Sequence, residues 1–238
     1  KQRDYLAILR PNSIDMLQAL AAAWKIGAVP TPLPFTATDS ERQALLSVVT
    51  PALVYAGGST NVCSFNLFAA DQNLQISFSG EALPECEAPY LRALCSGGSS
   101  GRPKVIVDLD PPRCDPDQAM YTVVPGSRTL IPGPLHHSGP FLNTFWTLLT
   151  GGFVAIMPRF DPEQVLTLID SHSIEYMGLV PTMMSRILRL PEEQRERYDL
   201  SSLRKVVTSS APCSQWLMRA WIKWLGPQRL CEAYGATE

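Results

Sequence analysis

The sequence predicts an α/β protein in which layered sheets of mainly parallel strands carry helices on both faces. Three observations carry this expectation. From residue 153 onward, short apolar runs alternate with amphipathic stretches at helical spacing, the order that builds parallel sheets. Several of those stretches open on recognisable caps. Near the middle, a glycine- and serine-rich segment lies between two strand-like runs.

The elements follow in order. Asn12 or Ser13 can cap a first helix whose apolar positions Met16, Leu17, Leu20, Ala21 and Trp24 share a face, and Gly27 supplies a stop. Thr38 with Glu41, or Ser40 with Gln43, has capping-box spacing ahead of Ala44-Leu45-Leu46. Residues 52–56 read as a short buried strand. A helix is expected over 141–149 and a strand over 153–157. Asp161-Pro162-Glu163 opens a helix to about His172, with a cap, a proline at the first position and acid in the first turn. A strand over 176–180, a helix over 182–190 and a strand over 205–208 follow. Pro212 is expected to open a helix through Leu225, and 229–233 is the final strand. That helix carries Trp216, Leu217, Ala220, Trp221, Trp224 and Leu225, which read as a core-facing side rather than a binding surface. Residues 59–89 and 108–118 lack periodicity and read as irregular chain.

Composition narrows the function. The 238 residues carry 20 Lys+Arg against 22 Asp+Glu, a net charge of −2, with 45% hydrophobic and 18% charged residues. A disordered chain needs low hydrophobicity and high net charge, and has neither here. No basic excess supports a nucleic-acid partner. Cys63, Cys86, Cys95, Cys114, Cys213 and Cys231 form no CxxC pair, so they read as reduced thiols of a cytoplasmic protein rather than zinc ligands. Lys1-Gln2-Arg3-Asp4 shows no apolar signal region. Between Arg128 and Arg159 no charged residue occurs, yet prolines, glycines and His136-His137 interrupt the stretch, so no membrane span is expected.

The sharpest feature is Cys95-Ser96-Gly97-Gly98-Ser99-Ser100-Gly101-Arg102-Pro103-Lys104. Its glycines let backbone amides turn to one side, its hydroxyls add donors, and two cations follow, so it can cradle phosphate. It lacks the G-x-x-x-x-G-K-[ST] order and the following helix of a Walker A loop. Val105-Ile106-Val107 continues as a strand, which makes this a strand–loop–strand hairpin. On composition alone a plain Gly/Ser turn is an equal alternative.

Here the sequence resembles the adenylate-forming superfamily of acyl- and aryl-CoA synthetases, luciferases and peptide-synthetase adenylation domains. Residues 96–104 are similar to its loop [ST]-[ST]-G-[ST]-[ST]-G-x-P-K, with Gly97 in place of the second hydroxyl residue. Pro134-Leu135-His136-His137-Ser138-Gly139 resembles P-L-[FY]-H-x-x-G, with His136 at the aromatic position. Ser209-Ser210-Ala211-Pro212 resembles G-[AG]-[AE]-P, and Tyr234-Gly235-Ala236-Thr237-Glu238 matches Y-G-x-T-E. The residues from Leu9 also look like the family's early helix–strand segment. The wording of the loop and of Pro134-Leu135-His136-His137 is similar to bile-acid- and bulky-acyl-CoA ligases.

The resemblance implies the N-terminal core fold of adenylate-forming enzymes and a reaction of a carboxylic acid with ATP, then CoA. It implies that Ser96, Ser99, Ser100 and the backbone at Gly97, Gly98 and Gly101 hold the β- and γ-phosphates, with Lys104 adding charge. Thr237 would contact the α-phosphate and Glu238 would hold Mg²⁺. Tyr234, Gly235 and the Ser210, Ala211 and Pro212 backbone would border adenosine. His137 would orient the carboxylate, whereas from the residues alone a structural role for it is favoured. Phe141, Trp146 and Met183 are candidate pocket lining, with core the plainer reading of each. The implied partners are a small carboxylic acid, ATP and CoA, with homodimerisation left open. Residues 1–238 are expected to be a truncated N-terminal core without its C-terminal lid, weakly active or inactive alone. A carrier-protein-loading adenylation domain and a non-catalytic ATP-binding fragment are the alternatives.

Overall fold

A computed structural model describes residues 4–57, 67–69, 80–96, 103–120, 123–235 and 237. Two compact units emerge, Lys1–Arg113 with Thr237–Glu238, and Cys114–Ala236.

In the first unit the chain runs β1 (Tyr5–Leu9), α1 (Ile14–Lys25), β2 (Val29–Pro32), α2 (Asp39–Val49), β3 (Leu53–Ala56) and β4 (Leu67–Ala69). The strands pair in parallel in the order β2-β1-β3-β4. Ser13 caps α1 by accepting from the Met16 amide at 3.2 Å, and α1 buries Met16, Leu20 and Ala23. Of the two capping boxes the spacing allowed, Thr38 with Glu41 forms, with both reciprocal bonds present. Leu45, Leu46 and Val49 of α2 pack on Ala7, Leu9, Val54 and Ala56, alternate positions of the strands.

Strand β2 is not legible from its sequence, because Val29-Pro30-Thr31-Pro32 carries two prolines, which lack the ladder's N–H. The structure accommodates them by parity. Val29 and Leu33 donate to the Asp4 and Ile8 carbonyls of the neighbouring chain at 2.9 Å each. Pro30 and Pro32 fall on the alternate positions, whose nitrogens point away from β1. The predicted hairpin is also present: β5 (Arg92–Ser96) pairs antiparallel with β6 (Lys104–Asp108). Buried Arg92 holds its strand to Asp108 by an N–O approach of 3.4 Å.

The second unit contains β7 (Arg128–Ile131), α3 (Ser138–Leu149), β8 (Phe153–Ile156), α4 (Pro162–His172), β9 (Tyr176–Leu179), α5 (Pro181–Leu188), the short α6 (Glu192–Arg195), β10 (Lys205–Thr208), α7 (Gln215–Leu225) and β11 (Leu230–Glu232). Its five parallel strands lie in the order β11-β10-β9-β7-β8. The chain steps from β7 to β8 in one direction, then returns past β7 to continue through β9, β10 and β11. Right-handed crossovers put the helices of opposite steps on opposite faces. One face carries α4, α5 and α7, whose Leu166, Ile187, Leu217 and Trp221 share a core with Leu130, Met177 and Val206. On the other face α3 is tied down by the Thr147 hydroxyl, which donates to Thr129 Oγ1 at 2.9 Å.

Local signals fixed most helix ends. Asp161 accepts from the Gln164 amide at 2.8 Å and α4 runs over the expected span. Two expectations are corrected. Pro212 does not open α7, which begins at Gln215 behind Ser214. Ser210 has φ of +71°, in the left-handed region, and Ser214, with extended backbone, is the N-cap residue of the helix. The tryptophan side of α7 is also narrower than expected. Leu217, Trp221 and Trp224 recur at i, i+4 and i+7, with Leu217 and Trp221 fully buried. Trp216 precedes Leu217 by about 100° of helix rotation and is 61% exposed. Among the described residues, no helix is long and apolar enough to cross a membrane. Cys86, Cys95, Cys114, Cys213 and Cys231 are free thiols.

Candidate functional site

Where sheet connections reverse direction, the loops leaving adjacent strands diverge and open a crevice at the carboxyl edge. In the second unit the reversal falls between β7 and β9, and a cavity of about 230 Å³ lies at that position. Residues 130–134 reach it from the end of β7 and 178–180 from the end of β9. Pro140 of α3 and Met183 of α5 close it with apolar surface. His137, Asn143, Ser209 and Ser210 supply its polar side chains. Of the three candidate lining residues, Met183 lines the cavity. Phe141 is instead buried against Phe145, with rings 4.9 Å apart, and Trp146 donates its indole N–H to the Gln118 carbonyl at 3.1 Å.

His137 is the N-cap residue of α3 but makes no side-chain cap bond, leaving its ring available to the cavity. Its ring contacts that of His136 at 4.3 Å. Burial, then the neighbouring His137, pushes the His136 pKa down to about 4. The His137 pKa is also lowered by desolvation, although much of the residue's surface stays open. Both rings are therefore neutral at pH 7, able to donate or accept a hydrogen bond but carrying no charge.

A depressed histidine pKa makes stability pH-dependent in a definite direction. The unfolded ring takes up a proton near pH 6.5, whereas folded His136 resists until about pH 4. Stability is thus complete above about pH 6.5 and falls as the pH drops through that window, by at most about 3 kcal/mol. Urea midpoints measured between pH 7 and pH 4.5 should decline, and His136→Phe should flatten the decline. A slope that survives His136→Phe unchanged would show that other groups carry it.

Ser210 adopts its left-handed backbone at the cavity, and the Ser209 amide donates to the Leu179 carbonyl at 3.3 Å. Non-glycine residues hold such a conformation only where their surroundings over-determine it. Ala211 and Pro212 are exposed and do not line the cavity. Tyr234 and Gly235 are exposed too, and the Tyr234 ring is fully open to solvent. These two segments nevertheless leave the same carboxyl edge, since they follow the adjacent strands β10 and β11. The Ala233 amide donates to the Thr208 carbonyl at 2.9 Å. The structure thus joins His137 to Ser210 and leaves Ala211, Pro212, Tyr234 and Gly235 on an open rim.

In the first unit, Ser96 ends β5 and Lys104 begins β6, and the two are register partners. Side chains so paired stand on one face with Cβ atoms about 5 Å apart. Lys104 is exposed. The intervening residues Gly97, Gly98, Ser99, Ser100 and Gly101 lie outside the described residues. The Ser96 hydroxyl is buried and has no hydrogen-bond partner among the described residues. A buried hydroxyl without a partner costs roughly 1–3 kcal/mol, so a ligand oxygen reaching it would recover that loss. That fits a nucleotide's phosphate tail. Cys95, just before it, is no nucleophile, because burial pushes its thiol pKa up to about 11. Thr237 is exposed and groups with the unit that holds the hairpin, while Glu238 lies outside the described residues. Among the described residues no three His, Cys, Asp or Glu side chains gather as a metal site.

Gly178 and Asn143 are among the cavity residues that the sequence did not mark. Gly178 interrupts the apolar strand Tyr176–Leu179, and Asn143 interrupts the apolar run of α3. Each is an exception to its element's pattern, and that is the signal that could have found them.

The family model described as AMP-binding enzyme matches residues 1–238. The chain is 27% identical to an indoleacetate–CoA ligase of Aromatoleum aromaticum, over 99% of this chain and 50% of that protein. Among solved structures it resembles the N-terminal domain of FACL13 from Mycobacterium tuberculosis, with a TM-score of 0.81, 21% identity, and 99% and 63% of the two chains covered. It also resembles the amide bond synthetase McbA from Marinactinospora thermotolerans, with a TM-score of 0.83, 25% identity, and 99% and 51% covered. The chain spans about half the length of the curated relatives it matches end to end.

Proposed function

Since the chain belongs to the AMP-binding enzyme family, we propose that it is the nucleotide- and acid-binding core of an acid–CoA ligase. In the first step a carboxylate oxygen bonds to the α-phosphorus of ATP, and the bond from that phosphorus to pyrophosphate breaks. In the second, the sulfur of CoA bonds to the acyl carbon, AMP leaves, and the thiol proton is released.

The observation that carries this reading is the cavity at the carboxyl edge of the second unit. It has apolar walls with a neutral imidazole and two serines among its lining, which suits an acid with an apolar body. His137 holds the carboxylate by a hydrogen bond rather than by charge. A neutral ring leaves that carboxylate free to attack, since an ion pair would bind the ground state as well as the transition state. Ser96, Ser99, Ser100 and the amides of Gly97, Gly98 and Gly101 are assigned to the β- and γ-phosphates. Lys104 offsets part of the repulsion between an attacking anion and a polyanion. Thr237 takes the α-phosphate. Adenosine is assigned to the rim made by Ser210, Ala211, Pro212, Tyr234 and Gly235. Mg²⁺ bound to phosphate oxygens and water needs only one or two carboxylates, and Glu238 is the one assigned to it. That ion neutralises charge on the phosphates.

The cavity's size favours a compact acid over the bulky acyl groups suggested by the loop's wording. About 150 Å³ of apolar cavity holds one benzene ring, and about 230 Å³ is present here. The likeness to an indoleacetate–CoA ligase supports an aromatic acid.

The test is exchange of labelled pyrophosphate into ATP by the native protein across a panel of aromatic and aliphatic acids. Exchange should require an acid and be fastest with compact aromatic ones, and added CoA should yield the thioester. Nucleotide binding without exchange on any acid would sink the ligase reading in favour of a non-catalytic ATP binder. Acyl transfer to a carrier protein instead of CoA would favour a loading domain.

A further inference from the structure

We infer that the open edge of β8 is the interface of a two-fold dimer, in which two copies of this chain pair their β8 strands antiparallel about Ala155. The inference stands apart from the ligase reading.

Strand β8 is an edge of the five-stranded sheet and pairs only with β7. Phe153 and Met157 donate to the Ser127 and Ile131 carbonyls at 2.9 and 3.1 Å. The alternate residues Val154 and Ile156 therefore turn their N–H and C=O groups away from β7, and among the described residues nothing pairs with those groups. All the residues of β8 are apolar and half-buried. A row of unpaired peptide groups is a template for another strand, so folded proteins guard sheet edges with charge, proline or short length. The other edges of the two parallel sheets are guarded in this way. Strand β2 carries Pro30 and Pro32, β4 has 3 residues, and β11 ends on Glu232. From Gln118 to Pro158 the sequence holds a single Lys, Arg, Asp or Glu, which is Arg128, and its side chain donates to the His172 carbonyl at 2.6 Å.

A second copy suits this edge because the edge is complementary to itself. Antiparallel pairing about Ala155 sets Val154 opposite the partner's Ile156 and Ile156 opposite the partner's Val154, and each pair exchanges both of its hydrogen bonds. Ala155 then meets its own copy at the axis, where a Cα separation of about 4.5 Å suits a small side chain. Arg159, the first charge beyond the strand, falls opposite the partner's Gly151, so no like charges meet. Pro158 has no N–H and ends the row. The axis is perpendicular to the sheet and keeps both α3 helices on one face. Helix α3 packs over β7 and β8. With strands about 4.8 Å apart, two such helices stand about 10 Å from each other, the distance at which helices pack. Helix α3 carries no charged residue and leaves Leu148 and Leu149 exposed, so apolar surface adds to the new ladder.

The experiment measures the mass of the native protein by sedimentation equilibrium and the exchange of its amide hydrogens at rising protein concentration. The mass should approach twice 26.2 kDa at micromolar concentration. The Val154 and Ile156 amides should exchange more slowly as concentration rises, while the already bonded Phe153 and Met157 amides change little. Val154→Pro should leave the β7 ladder intact, since that ladder does not use the Val154 nitrogen. It should weaken the dimer roughly thirtyfold or more, the equivalent of two net hydrogen bonds. Circular dichroism checks that the variant is folded, and the amide readout decides without any variant. A protein that stays monomeric into the hundred-micromolar range, a dimer that folded Val154→Pro leaves unchanged, or a dimer whose Val154 and Ile156 amides exchange at one rate at every concentration would overturn the inference.

Discussion

Trp221→Ala is expected to destabilise the second unit by about 3–5 kcal/mol, the usual loss when a buried tryptophan is truncated. Trp221 is 1% exposed in the core shared by α4, α5 and α7. Its ring packs edge-on against Trp224 at 5.1 Å, and its indole N–H donates to the Met184 carbonyl at 3.3 Å. Truncation removes that bond and leaves a void that three helices would have to collapse into. A domain's whole stability is about 5–15 kcal/mol, so the variant should approach unfolding at room temperature. Trp216→Ala, on the same helix but facing solvent, should stay within about 0.5 kcal/mol of the native protein. Urea midpoints for the two variants provide the comparison. Equal losses would mean that the buried face of α7 has been misassigned.

Lys104→Ala is expected to lower acid-dependent pyrophosphate exchange by about 10²–10³-fold, the range found when one preorganised donor to a developing charge is removed. The fold should survive, because Lys104 is exposed at the first position of β6. Lys104→Arg should recover part of the rate, since the charge returns with a different reach and geometry. Ser96→Ala is the companion variant. It removes a buried hydroxyl that has no partner among the described residues, so it should leave stability unchanged or raise it while weakening nucleotide binding. Full exchange in Lys104→Ala, or a marked stability loss in Ser96→Ala, would contradict the phosphate assignment.

The hairpin could be foreseen because its information is local. The strand-like runs on either side of the glycines pair with each other, and register follows from loop length. Helix ends were equally local. The Thr38–Glu41 box and the Asp161 cap act within one turn, so residue type and spacing suffice to locate them. Where local cues competed, the reading slipped. Pro212 resembles a helix opener, but the helix begins only after Ser214, the extended N-cap residue. The two prolines of β2 argued against a strand, and only its pairing with β1 shows that their missing N–H groups fall on the unpaired side.

By itself the sequence determined the α/β class, the capped helices, the Ser96–Lys104 hairpin and the motifs that mark the family. The caps and the hairpin depend on residues within a turn or a hairpin of one another, and the class and the family on the order of such local segments along the chain. Only the tertiary structure decided that β9 lies beside β7, and with it that His137, Asn143, Gly178 and Ser210 border one cavity. Those residues come from three separate segments of the chain, and what joins the segments is the order of strands in a sheet. That order is settled by burying the apolar faces of several helices at once, a condition no single segment expresses.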